Sequence, residues 1–164
     1  MSEQVEAQAA GPGYLLQQIE VIEYGYHDLD PPPANPKIQF GFNVSMKFNA
    51  AKDFTFMLCS VFVKGVATEE EIGTPQDVLS AHIRFQFHTV NLEPFVEGKI
   101  FTPPTDFMRS LINISLGTSR GILYSKNFGT KIGGVILPSF PTDKFLPPPF
   151  NMANLEEVAI TAAV

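Results

Sequence analysis

Three histidines, His27, His82 and His88, are the side chains of this sequence best suited to metal binding or proton transfer near neutral pH. His82 and His88 fall on one face of a predicted strand but six residues apart, about 20 Å at strand rise, too far to share one ion. His27 adjoins Asp28 and Asp30. No regular ligand spacing follows that cluster, so it reads as a solvated loop. The single cysteine, Cys59, sits in the apolar run Met57-Leu58-Cys59-Ser60-Val61. It reads as a small buried hydrophobe, not a nucleophile with a base beside it. Gly117-Thr118-Ser119-Arg120-Gly121 looks like a phosphate cradle in composition. It falls inside a predicted helix, however, and not at a strand-to-helix turn where amides point outward. Arg120 has no acid or base partner in the pattern and reads as a satisfied interface charge. There is no Walker loop, no GxGxxG and no Ser-His-Asp order. The expectation is a non-enzyme with no cofactor and no metal.

Composition narrows the partners. The chain has 164 residues, enough for one domain with a real core, and carries a formal net charge of -6. That balance argues against nucleic acid and anionic membranes, which need clustered Lys and Arg. Met1-Ser2-Glu3-Gln4 is acidic with no apolar stretch after it, so no signal peptide is expected, and no run reaches the length of a membrane span. The expected location is the cytoplasm. Fifteen Phe and no Trp are the compositional oddity. They imply either a Phe-rich core or an apolar surface reserved for a partner.

The elements that must position these residues follow from periodicity. Residues 1–13 end in Gly11-Pro12-Gly13 and read as a mobile tail. Leu15 to His27 is the first predicted strand, with a change of face between Val21 and Ile22 that implies a bulge. The proline-rich segment 28–36 is an extended crossover. Ile38, Phe40, Phe42, Val44, Met46 and Phe48 alternate strictly with polar or small residues, which defines a strand with one buried face. Phe54 to Val66 is apolar on both faces, a strand covered twice. Thr74-Pro75-Gln76-Asp77 predicts one short helical turn. Ser80 to Val90 alternates again. Thr102-Pro103-Pro104-Thr105-Asp106 opens a long helix with the stripe Phe107, Leu111, Ile114, Thr118, Ile122 and a stop at Gly129. Its small residues call for close approach of a second helix or a sheet. A short turn is expected at 142–146, ended by Pro147-Pro148-Pro149. The segment from Asn151 onward reads either as a short amphipathic helix around Leu155, Val158 and Ala162 or as disordered. Strands followed by helices give an α+β fold with an antiparallel sheet. The boundaries are a tail over 1–13, a domain over 14–146 and a Pro-led tail over 147–164.

Three segments carry a family resemblance. They are Phe87-His88-Thr89-Val90-Asn91-Leu92-Glu93-Pro94-Phe95-Val96, Ile114-Ser115-Leu116-Gly117-Thr118-Ser119-Arg120-Gly121-Ile122-Leu123, and Gly129-Thr130 with Ile136-Leu137-Pro138. Over residues 15–146 the chain resembles the divergent SecB-like chaperones, most specifically in the helix with its Thr-x-Arg-Gly. The resemblance implies a four-stranded antiparallel sheet with a crossover after strand one, a long helix and a short second helix. It implies dimers of dimers with the long helices in the interface. It also implies apolar grooves for non-native chains between sheet, crossover and second helix. Classical members deliver precursors to the SecA motor; some divergent members guard antitoxins. Two departures stand out: Ser139-Phe140-Pro141-Thr142 replaces the usual Asn-Pro, and no motor-docking signature supports a SecA partnership.

The readings that follow are an ATP-independent holdase, or an adaptor subunit with a fixed protein partner on the same fold. A small-molecule binder or enzyme is a third, for which no convergent polar pocket is legible. For the holdase, the groove candidates are Phe40, Phe42, Phe62, Phe85, Phe87, Phe140 and Phe145. The interface candidates are Ser115, Gly117, Thr118, Arg120 and Gly121.

Overall fold

A computed structural model of the chain describes residues 11–29, 37–48, 56–68, 75–130, 132, 137–139, 141–151 and 158–163. The elements in chain order are β1 (Gly13–Tyr26), β2 (Lys37–Phe48), β3 (Phe56–Thr68), β4 (Gln76–Val90), β5 (Val96–Glu97), β6 (Ile100–Phe101), α1 (Thr105–Asn127), β7 (Phe150–Asn151) and β8 (Val158–Ala163). Single 3-10 turns fall at Glu93–Phe95 and Thr142–Phe145. The fold is α+β, an antiparallel sheet under one long helix, as the sequence pattern requires.

The main sheet has the order β1-β4-β3-β2-β8. β1 and β2 are therefore not neighbours in the sheet, and β4 and β3 lie between them. β2 and β3 pair without a break from Lys37↔Thr68 to Phe48↔Met57. That regularity matches the uninterrupted alternation of Ile38 to Phe48. β1 is irregular: its register against β4 shifts between Leu16 and Gln18 and again between Val21 and Glu23. The second shift is the bulge implied by the change of face after Val21.

One face of the sheet makes the core. Phe42 and Val63, Val44 and Val61, Met46 and Cys59 stand opposite one another and are all buried. Ile83, Phe85 and Phe87 continue the layer from β4. The helix contributes Phe107, Leu111, Ser115, Ser119, Leu123 and Asn127, each four residues from the last and each buried. This line differs from the expected stripe, since Ile114, Thr118 and Ile122 are only half-buried on its flank. The physical reason is that small hydroxyl residues at the centre let the backbone of α1 come close to the sheet. Burial there goes to shape more than to area.

Contacts at both ends set the direction of α1. Tyr14 meets Phe107 edge-on at 5.8 Å, and the Tyr24 hydroxyl donates to Asn127 Oδ1 at 2.6 Å. Ten strand residues span about 33 Å and twenty helical residues about 30 Å. The helix thus runs in the same direction as β1, with its backbone nearest β3. Lys126 lies 5.1 Å from the Tyr24 ring centroid and reinforces the far end. Beyond it, Gly129 takes φ +86 and ends the helix where expected.

Two expectations are corrected. The helical turn at Thr74-Pro75-Gln76-Asp77 does not form, because Gln76 and Asp77 already pair with Ala67 and Val66 as strand. The amphipathic helix around Leu155, Val158 and Ala162 gives way, over 158–163, to strand β8 on the edge of β2. Val158, Ile160 and Thr161 are β-branched, and a waiting sheet edge decides the outcome. On the face of β3 away from α1, where a partner subunit or ligand groove is expected as the second cover, Leu58 and Phe62 are half-buried. A small sheet in the order β5-β6-β7 was not anticipated.

Phe85 is fully buried at the centre of the core. Phe85→Ala is expected to cost about 3–5 kcal/mol in urea unfolding. The Ser119 hydroxyl is buried with no hydrogen-bond partner. Ser119→Ala is therefore expected to raise stability by about 1 kcal/mol in the same assay.

Candidate binding surface

The structure sends most of the aromatic groove candidates inward. Phe40, Phe42, Phe85, Phe87 and Phe145 are core residues, with Phe85, Phe87 and Phe145 at 0% exposure. Phe40 packs over Gly65, one ring carbon lying 3.1 Å from where a Cβ would stand. Alternation turns the four strand residues among them toward the core, and Phe145 reaches it from the 3-10 turn after α1; Phe42 still borders one of the sheet's hollows. Phe140 lies outside the described residues. Phe62 alone of the set stands on the face away from the helix, stacked on His82 with centroids 4.1 Å apart.

That face carries two hollows. One, of about 330 Å³, is lined by Glu23, Gly41, Asn43, Phe62, Lys64 and His82 among others. The other, of about 320 Å³, runs past Ser45, Lys47, Leu58, Ser60 and Arg84. Small residues at 41, 45 and 60 create the relief between larger neighbours. Asn43 Oδ1 is buried without a hydrogen-bond partner at the edge of the first hollow. Lys64 pairs with Asp77 at 2.9 Å, and Arg84 lies 3.6 Å from Glu20. The walls are therefore apolar below and charge-balanced above.

The two sides of the sheet differ. On β1, Leu15 is 64% exposed, and Tyr14, Ile19, Val21 and Ile22 are also exposed, next to Val90 at the end of β4. So many apolar side chains on an outermost strand form a surface suited to another chain. On the other side, β8 lines β2 over six residue pairs, from Gly41↔Ala163 to Met46↔Val158. β8 also lies beside the 3-10 turn Thr142–Phe145. That turn is tied to the start of α1 by Arg109, which donates to Asp143 at 2.9 Å and to Asp106 at 2.5 Å.

The helix candidates separate. Ser115 is fully buried against the sheet of its own protomer. Arg120 donates from Nε to the Leu137 carbonyl at 3.1 Å and so holds the segment after the helix. Gly117 and Gly121 face outward, and a Cβ at either would meet nothing within 4 Å. Thr118 is half-buried beside them. This leaves a smooth outer face on α1, with Tyr124 and Phe128 exposed near its end.

For metal and acid–base chemistry, the described residues hold no group of three or more His, Cys, Asp or Glu side chains placed to bind an ion. The His27 amide bonds the Val78 carbonyl at 3.0 Å, and Asp28 accepts from the Tyr26 hydroxyl at 2.5 Å. Asp30 is outside the described residues. His82 and His88 lie on β4 as expected, and no described helix is long and apolar enough to cross a membrane.

The apolar β1 surface and the β8 pairing were not legible as sites. Alternation shows which residues share a face, but not which strand ends up outermost. The parity change at Val21 was the one visible sign that β1 departs from a simple core strand.

No protein-family model and no curated protein matches the chain. Among solved structures it is similar to the SecB-like chaperone Rv1957 of Mycobacterium tuberculosis, solved with a ChAD peptide from the Rv1956 HigA1 antitoxin. The identity is 12%, covering 77% of this chain and 90% of that one, with a TM-score of 0.49. It is also similar to a protein of unknown function from Streptococcus agalactiae, at 15% identity over 79% of this chain and 100% of that one, with a TM-score of 0.42.

Cys59 gives a pH test of the core beneath these surfaces. Burial pushes its thiol from an ordinary 9.0 up to about 11, with the Ser115 hydroxyl partly offsetting this. The folded state then keeps a proton that the unfolded state loses. Stability should fall as pH rises from about 9 to about 11, by roughly 2–3 kcal/mol in all. Denaturant midpoints across that range check this, and Cys59→Ala should flatten the Cys59 contribution. The folded thiol should also resist alkylation at pH 8.

Proposed function

We propose that this protein is an ATP-independent holdase that binds non-native polypeptides in the cytoplasm. The observation that carries this reading is the β2 edge. There, beside the 3-10 turn Thr142–Phe145, the sheet holds an extended segment with no charged residue by backbone pairing. Main-chain hydrogen bonds do not depend on side-chain identity, so a site of this kind suits many unfolded chains. The SecB-like resemblance implies client binding between sheet, crossover and second helix, and the 3-10 turn Thr142–Phe145 beside this edge stands where that second helix is expected. It leaves export and antitoxin guarding as the two client roles. Nothing in the site calls for a nucleotide, a metal or a bond-making step.

The β1 surface suits a second copy of the chain. Self-association there and through the outer face of α1 would give the dimer of dimers that the resemblance implies. The same exposed apolar residues favour one alternative, an adaptor subunit with a fixed protein partner.

A direct test mixes the purified protein with a denatured, slowly folding polypeptide and with its native form, and records the mass by light scattering. The expected result is binding of the denatured form only, by a species near four times 18.1 kDa. No binding of either form would sink the holdase reading and favour the adaptor. Ile19→Lys combined with Val21→Lys should lower the assembly mass while the far-UV spectrum stays folded.

A further inference from the structure

We infer that β8 is a built-in occupant of the polypeptide site, and that a client chain binds by adding to β2 in its place. This rests on the proposed polypeptide-binding function and names how that site is regulated. The register is the first ground. Val158, Ile160 and Ala162 stand opposite Met46, Val44 and Phe42, while Ala159, Thr161 and Ala163 stand opposite Ser45, Asn43 and Gly41. The occupant thus offers aliphatic residues opposite the buried positions of β2 and small ones between, the pattern of an unfolded apolar segment.

Length is the second ground. β8 pairs with six of the twelve residues of β2, and positions 37–40 lie beyond its register. A longer client strand gains pairs that β8 does not make. Sequence is the third. The segment Val158-Ala159-Ile160-Thr161-Ala162-Ala163 has no aromatic residue and three alanines, so each of its pairs contributes little packing area. It is a weak strand, kept at the edge because it belongs to the same chain, since covalent linkage raises its effective concentration above that of a free peptide. Such an occupant shields an apolar edge from aggregation and still yields to a client that pairs over a longer stretch. The partner this edge fits is an extended polypeptide segment with branched aliphatic residues at alternate positions and no charge across six residues.

The test uses a labelled synthetic peptide spanning Asn154 to Val164 as probe. Its binding is measured to the full chain and to a variant lacking residues 158–164, with the denatured polypeptide as competitor. The shortened variant should bind the peptide at least tenfold more tightly than the full chain does, and the denatured polypeptide should displace it. Equal binding by both proteins, or no binding by the shortened one, overturns the inference.

A second variant answers the case in which the shortened chain fails to fold. Asn43→Cys with Thr161→Cys places two thiols at directly opposed positions on β2 and β8. The oxidised form should lose at least tenfold in affinity for the denatured polypeptide, and reduction should restore it. Equal affinity in both states overturns the inference while leaving the holdase reading standing. Absence of binding by every form, reduced and shortened included, instead removes the holdase reading, and this inference with it.

Discussion

The packing of α1 onto β3 is the contact on which the other features depend. A helix normally stands off a sheet by the length of its larger side chains. Here Ser115 and Ser119 occupy the middle of the buried line, and Cys59 lies beneath. Larger residues at both ends, Phe107 and Leu111 on one side and Leu123 on the other, grip the sheet where it twists away. The arrangement buries hydroxyls at some cost, and Ser119 has no partner to offset it. In exchange the helix lies close to the sheet, and the middle of its opposite face is left with Gly117 and Gly121, with Tyr124 exposed beyond them. A smooth outer face and a close inner one are two results of the same choice of small residues.

The sheet that the helix anchors has two sides with opposite treatment. β1 keeps exposed Leu15, Ile19, Val21 and Ile22 and carries two breaks in its register. Bulges twist a strand and discourage indiscriminate pairing, so only a partner with matching irregularity fits along it. β2 has an unbroken register and is lined by the chain's own β8. An irregular edge suits a specific partner such as a second copy. A regular edge suits a general one such as an unfolded chain. On the proposed reading, a division of labour between assembly and client binding would follow from strand geometry.

Much of this was legible in the sequence, for local reasons. Strict alternation located β2 and most of β4, and the parity change located the bulge in β1. Pro103 and Pro104 before Thr105, with Gly129 after Asn127, bounded the helix within a residue or two. What was not legible depends on distant partners. Gln76 and Asp77 carry helix-start chemistry, yet they pair as strand because Val66 and Ala67 lie alongside. Residues 158–163 are ambiguous between helix and strand until β2 offers a partner. Most of the described Phe candidates turned out to be buried for a related reason. Alternation groups Phe40, Phe42, Phe85 and Phe87 correctly onto one face each, but the placement of α1 decides which face becomes core.

The fate of those phenylalanines bears on how this fold can recognise a chain. Phe40, Phe42, Phe85, Phe87 and Phe145 are committed to the interior, so the Phe-rich composition is largely a core property. An aromatic trough would bind by area and would favour aromatic clients. A strand edge flanked by the small residues Gly41, Asn43 and Ser45 binds first through the main chain, and side chains only modulate it. Such recognition tolerates many sequences but rejects any segment already folded, since a native chain has its own backbone groups paired. If clients bind at this edge as proposed, discrimination between folded and unfolded partners would need no conformational change in the protein beyond the exchange of one short strand.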